Sequence, residues 1–146
     1  MADPIQRIAV IGAGAWGTAL ASVAQRAGRH VVIHAHEAET AEAINTGHEN
    51  SVFLPGIPLD SEIRATTSLD EAVRQANAIL MVTPAQFLRP TLTQISAAKP
   101  GSVPIVICAK GIELDTGLLM NEVAETAAPN AMLAVLSGPT FAAEVA

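Results

Sequence analysis

Aromatic side chains are scarce: three phenylalanines, one tryptophan and no tyrosine in 146 residues. A core built without them must be filled by small and branched aliphatics. Half the chain is hydrophobic, the composition of a sheet covered on both faces. Cysteine occurs once, at Cys108, which excludes an internal disulfide. Its place in the apolar run Ile105-Val106-Ile107-Cys108 makes it a buried small hydrophobe in a reducing compartment, with a reactive thiol as the weaker alternative. Basic residues number eight against fourteen acidic, for a net charge of −6 and a pI near 5.0. Without a broad basic surface, nucleic acid and anionic membranes are poor partners, and the ligand should be small. No apolar run approaches the ~20 residues that cross a bilayer, and Met1-Ala2-Asp3-Pro4 lacks the basic start of a signal peptide. The expectation is a soluble cytoplasmic protein of one domain. So high an apolar fraction also allows an uncovered face, from which a homodimer forming with concentration is anticipated.

What the chain does contain is a glycine-rich turn near its start, Gly12-Ala13-Gly14-Ala15-Trp16-Gly17, between the apolar run Ile8 to Ile11 and an alanine-rich run. Strand, turn and helix in that order suit a dinucleotide. Gly12 permits the tight turn, Gly14 lets backbone approach a pyrophosphate, and Gly17 lets the helix lie close to the sheet. The first-turn N–H groups of such a helix lack intrahelical partners and, with the dipole, favour an anion. The competing reading is an ordinary strand-to-helix turn, since this spacing arises by chance in Ala- and Gly-rich chains. Context favours the nucleotide: Gly28 is placed to end the helix, Val31-Val32-Ile33 reads as a second strand, and Glu37 follows at the usual offset of about 20 residues.

Strand-like runs recur at Arg7 to Ile11, Val31 to Ala35, Ile63 to Thr66, Ala78 to Val82, Val103 to Cys108 and Met132 to Leu136, with helical runs between them. The alternation predicts an α/β fold: a Rossmann-type doubly wound, mainly parallel sheet with helices on both faces. Ser68-Leu69-Asp70-Glu71 reads as a capping box, Asp115-Thr116-Gly117 as a helix start, and Pro129-Asn130 as a turn. Asn45 to Pro58, polar and then rich in proline, reads as a long surface loop. The chain stops at Ala146, a few residues into a helix that follows Pro139, so it reads as the opening part of something longer. His30, His34 and His48 have no spacing that would build a metal site.

Gly12 to Leu20, Asn50 to Pro58, Thr83-Pro84-Ala85-Gln86-Phe87, Ala109-Lys110-Gly111-Ile112-Glu113 and Leu136-Ser137-Gly138-Pro139-Thr140-Phe141-Ala142-Ala143-Glu144 together resemble the bacterial NAD(P)-dependent glycerol-3-phosphate dehydrogenases, in register over essentially the whole chain. The resemblance implies that residues 1–146 are the NAD(P)-binding N-terminal domain of an oxidoreductase. It moves hydride between NAD(P)H and the pair dihydroxyacetone phosphate and sn-glycerol 3-phosphate, in glycerophospholipid synthesis. A helical C-terminal domain carrying the general acid/base lysine is then absent from this chain, which alone should bind cofactor at best and turn nothing over.

The same resemblance assigns residues. Gly12, Gly14, Ala15, Trp16 and Gly17 contact the cofactor around the first turn, with core packing as the alternative for Trp16. His36 and Glu37 lie at the adenosine ribose. Many members carry arginine where this chain has Glu37, and a carboxylate accepts ribose hydroxyls but repels a 2′-phosphate, so NAD is slightly favoured over NADP; the alternative leaves Glu37 in solvent. Phe87 matches an aromatic near the cofactor, against a core role. Lys110, at the carboxyl end of a strand, contacts substrate and nicotinamide ribose. Gly138 and Thr140 match substrate-binding positions, with Thr140 also able to cap the helix, and Ala142 matches a contact to the nicotinamide end. A free-standing dinucleotide-sensing module is the alternative from another class, and a hydroxy-acid dehydrogenase the alternative enzyme.

Overall fold

A computed structural model describes residues 4–98 and 103–146; the Met1-Ala2-Asp3 start lies outside them. In chain order the elements are strand β1 (Arg7–Ile11), helix α1 (Ala15–Arg26), β2 (His30–His34), α2 (Ala38–Glu42), a π-helical turn (Ala43–Gly47), β3 (Glu49–Asn50) and β4 (Leu54–Pro58). There follow β5 (Arg64–Thr66), α3 (Leu69–Arg74), β6 (Ala78–Met81), a 3-10 turn (Ala85–Phe87), α4 (Leu88–Ala98), β7 (Pro104–Ile107), α5 (Met120–Ala127), β8 (Met132–Val135) and α6 (Ala142–Val145). Six strands pair in the order β5-β2-β1-β6-β7-β8, and every pairing is parallel. The chain builds outward from β1 to one edge, returns to β6 beside it, and builds to the other edge. The doubly wound α/β sheet is thus present, with a topological switch between β1 and β6.

Helices cover both faces. On one, Ala9 and Ile11 of β1, Ile79 and Met81 of β6, and Ile105 and Ile107 of β7 pack under α3, α4 and α5 through Val73, Leu88, Leu92, Ile95 and Val123. On the other, Val10, Val31 and Ile33 pack under α1 and the region of Ala41 and Ile44. Apart from Leu20, the buried residues of α1 are small, Gly17, Thr18, Ala19, Ala21, Ser22 and Ala24, so the helix axis can lie close to the strands. It stops through a glycine turn: Gly28 has φ +76°, Gly28 N–H donates to the Gln25 carbonyl and Arg29 N–H to that of Ala24, the paired bonds that satisfy the last carbonyls of a helix.

Three local expectations need correction. Residues 45–58 are not a loop: the chain closes a π-helical turn at Gly47 and forms an antiparallel hairpin of β3 and β4. The hairpin is pinned by Asn50, 1 % exposed, whose Nδ2 donates to the Ala13 carbonyl (2.7 Å) and Thr18 Oγ1 (2.8 Å) while its Oδ1 accepts from Phe53 N–H. Asp115-Thr116-Gly117 does not start a helix; it is the tip of a turn closed by an Ile112–Leu119 bridge, and α5 begins at Met120. The Ser68 box is half made. Ser68 Oγ accepts from Glu71 N–H, but the Glu71 carboxylate takes the Thr66 hydroxyl instead of returning to Ser68.

Candidate functional site

Between β1 and β2 on one side and β6 and β7 on the other, at the carboxyl ends of the strands, lies a cleft of about 710 Å³. Its floor is the first turn of α1, where Gly14 is the N-cap in extended conformation with no side-chain cap. That leaves the opening N–H groups pointing at the cleft, as the helix end requires.

Each glycine of the turn has a separate steric reason. Gly12 sits at φ +117°, and a Cβ there would stand 2.6 Å from the Val82 carbonyl oxygen of the neighbouring strand end. At Gly17 a Cβ would lie 1.9 Å from the Gly12 carbonyl oxygen. A Cβ at Gly14 meets nothing within 4 Å, and Gly14 lines the cleft. Two glycines are therefore demanded by the fold, while packing makes no such demand at Gly14.

The remaining wall comes from far apart in the chain. His36 and Glu37 follow β2, Phe53 reaches in from the hairpin, Phe87 comes from the 3-10 turn after β6, and Lys110 follows β7. Trp16 is half-buried and lines the cleft rather than the core. Phe87 is 61 % exposed on the cleft wall, so its core reading is overturned: Leu88 beside it turns inward and takes the buried position. Glu37 is the exposed N-cap of α2, and its carboxylate makes no cap bond. Lys110 is exposed.

His34 lines the cleft as well; burial, opposed by a hydrogen bond at the Thr67 backbone and helped by nearby His36, holds its pKa below the ordinary histidine value. Cys108 is buried in the cleft lining, and desolvation pushes its thiol up to about 11. A thiol so raised stays protonated at neutral pH and is a packing residue. Thr83 Oγ1 is buried against the cleft without a hydrogen-bond partner among the described residues.

The loop that follows Lys110 is held by contacts that sequence reasoning missed. Gln86 brackets the following loop, its Nε2 donating to the Ile112 carbonyl and its Oε1 accepting from Leu114 N–H. Arg89 of α4 grips Glu113 with two bonds of 2.8 Å, and Glu113 also accepts from the Thr116 hydroxyl. Those hydrogen bonds, from Arg89 first and Thr116 next, hold the Glu113 carboxyl down at about 2. The i, i+3 spacing of Gln86 and Arg89 was the available signal, since both then face the same neighbour.

Gly138, Thr140 and Ala142 do not line the cleft. After β8 the chain turns away, and α6 lies along α1, where the Arg26 guanidinium donates to the Val145 and Ala146 carbonyls. Thr140 does not cap α6; Phe141 holds that position.

The sequence profile of the family described as NAD-dependent glycerol-3-phosphate dehydrogenase N-terminus matches residues 7–146. The chain belongs to this family. Relatives named glycerol-3-phosphate dehydrogenase [NAD(P)+] include that of Rhodospirillum rubrum, 58 % identical over 97 % of this chain and 41 % of its own length, and that of Parvibaculum lavamentivorans, 58 % identical over 97 % and 42 %. Among solved structures, glycerol-3-phosphate dehydrogenase from Coxiella burnetii superposes with a TM-score of 0.88 at 30 % identity, over 97 % of this chain and 43 % of the other. The chain thus spans less than half the length of these two curated relatives. The fold persists where sequence has diverged: UDP-D-ManNAc dehydrogenase of Pyrococcus horikoshii aligns with a TM-score of 0.76 at 16 % identity.

Proposed function

We propose that this chain is the cofactor-holding half of a cytoplasmic glycerol-3-phosphate dehydrogenase, interconverting dihydroxyacetone phosphate and sn-glycerol 3-phosphate for glycerophospholipid synthesis. The observation that carries it is the open mouth of α1: unpaired amides and a side-chain-free Gly14 facing a cleft at the switch point. The residues fit a dinucleotide. The amides of Ala15, Trp16 and Gly17 would hold its diphosphate, Glu37 the adenosine ribose hydroxyls, and Phe53, Phe87 and Trp16 the apolar walls. Bound NAD(P)H supplies the hydride. Lys110 places a compact positive charge at the carboxyl end of β7, suited to an oxygen-rich substrate or the nicotinamide ribose.

The general acid/base lysine and the helical substrate domain are assigned to the part of the relatives' length that this chain does not span. Gly138, Thr140 and Ala142 keep their proposed substrate and nicotinamide roles only if that domain draws the segment after β8 toward the cleft. The chain alone therefore binds cofactor and has no turnover. A purely sensing module is disfavoured because the matching relatives carry the name of an enzyme.

Calorimetric titration with NADH and NADPH tests the reading. Binding of NADH, weakened by Gly14→Ala, supports it, and no heat with either cofactor sinks it. Glu37, with an uncommitted carboxylate, favours NADH; an NADPH affinity ten times tighter would refute that preference.

A further inference from the structure

A second groove, of about 520 Å³, shares no lining residue with the cleft. It lies on the α3 face, over the amino-terminal ends of β1 and β2 and against β5. Strand alternation accounts for what lines it. Arg7 shares a face with Ala9 and Ile11, which pack under α3; His30 stands beside Arg7 in register, and Arg64 stands beside Val32. A parallel sheet is normally apolar on both faces and covered. Here α3 has only six residues, and the positions it fails to reach carry cations.

Arg7, Arg64 and Arg74 line the groove with His30, although the whole chain has only eight basic residues and a net charge of −6. Neither Arg7 nor Arg64 has a carboxylate partner among the described residues; Arg64 donates to the Ser61 carbonyl. Glu71 is the one carboxylate in the lining, and its Oε2 already accepts the Thr66 hydroxyl at 2.7 Å. Val32, Ala72 and Ala76 supply an apolar floor. The volume is that of small-molecule sites.

We propose that this groove binds a phosphate monoester, its doubly charged head between Arg7, His30 and Arg64 and its body on the Val32, Ala72 and Ala76 floor. Guanidinium forks suit phosphate oxygens, and an imidazole can donate in either protonation state. The site is independent of the dinucleotide reading, since it shares no lining residue with the cleft and lies toward the opposite end of the strands. Its ligand chemistry could come from a free organic phosphate or from a phosphatidate headgroup.

The full chain, isotopically labelled, is titrated with phenyl phosphate and followed by amide NMR, with phenol as the uncharged control. The expected result is saturable shifts at Arg7, His30, Arg64 and Thr66, absent with phenol. Binding should weaken about tenfold or more in R7Q/R64Q, largely persist in R7K/R64K, and fall with added salt. Both arginines are exposed, so the amide spectrum of each variant should keep its native dispersion. Shifts confined to Gly12–Gly17, or equal affinity in R7Q/R64Q, would overturn the proposal. Co-sedimentation with phosphatidate-containing vesicles but not phosphatidylcholine ones, abolished in R7Q/R64Q, identifies a lipid source; saturation by phenyl phosphate without vesicle binding identifies a soluble one. Failure of both arms refutes the site.

Discussion

Gly17→Ala and Gly14→Ala add the same methyl group three residues apart and should do opposite things. At position 17 the new Cβ would lie 1.9 Å from the Gly12 carbonyl oxygen and 3.0 Å from its carbon. Ordinary contact is about 3.4 Å or more, so α1 must lift from the sheet by over an ångström. Backbone cannot rotate aside as a flexible side chain would, which puts the cost at the upper end of overpacking, about 3 kcal/mol. For a domain of this size that lowers Tm by about 10 °C.

At position 14 the methyl meets nothing and the backbone is already extended, at φ −69° and ψ −179°. Its Tm should stay within about 2 °C of the parent. The methyl does occupy the approach to the helix amides, so NADH affinity should fall tenfold or more, about 1.4 kcal/mol. Thermal melts by circular dichroism and titration calorimetry on both variants decide the matter. A Gly17→Ala protein that melts with the parent would refute the steric argument. A Gly14→Ala protein that binds NADH as well as the parent would refute the claim that this space belongs to the cofactor.

Asn50→Ala removes the pin between the hairpin and the first turn, stranding the Ala13 carbonyl; chemical denaturation should register a loss of about 2 kcal/mol. Glu113 has a folded pKa near 2 against an ordinary 4.5, so the stability it contributes is complete above about pH 4.5 and is lost as pH falls toward 2. Glu113→Gln should flatten the acid limb of a Tm-against-pH curve in that window, and an unchanged limb would show that the Arg89 clip does not couple to folding. Cys108, buried and raised to about 11, should resist a thiol reagent at pH 8 in the native state and react quickly once denatured; fast native labelling would contradict its buried place.

Periodicity located all six strands of the main sheet to within one residue at every end, because buried parallel strands need near-continuous β-branched runs and little else in the chain has them. The turn after β1 was legible for the same local reason: Gly12 and Gly17 answer to atoms within a few residues or one strand away. The hairpin was missed because its register depends on Asn50 reaching Ala13 and Thr18, contacts more than thirty residues distant that no local propensity encodes. Phe87 was ambiguous for a related reason, since whether an aromatic at a helix start turns inward depends on its neighbour Leu88 claiming the core.

From the residues alone came the order of elements, the parallel sheet and the glycine turn that opens α1, all properties of short segments obeying their own sterics. Only the folded chain decided which distant side chains share a space. Closing the sheet at its switch point sets Trp16, Glu37, Phe87 and Lys110 around one cleft, and a crossover helix too short for its face leaves Arg7 and Arg64 on another groove. Such convergence depends on crossover lengths and strand order together, and one-dimensional spacing carries neither.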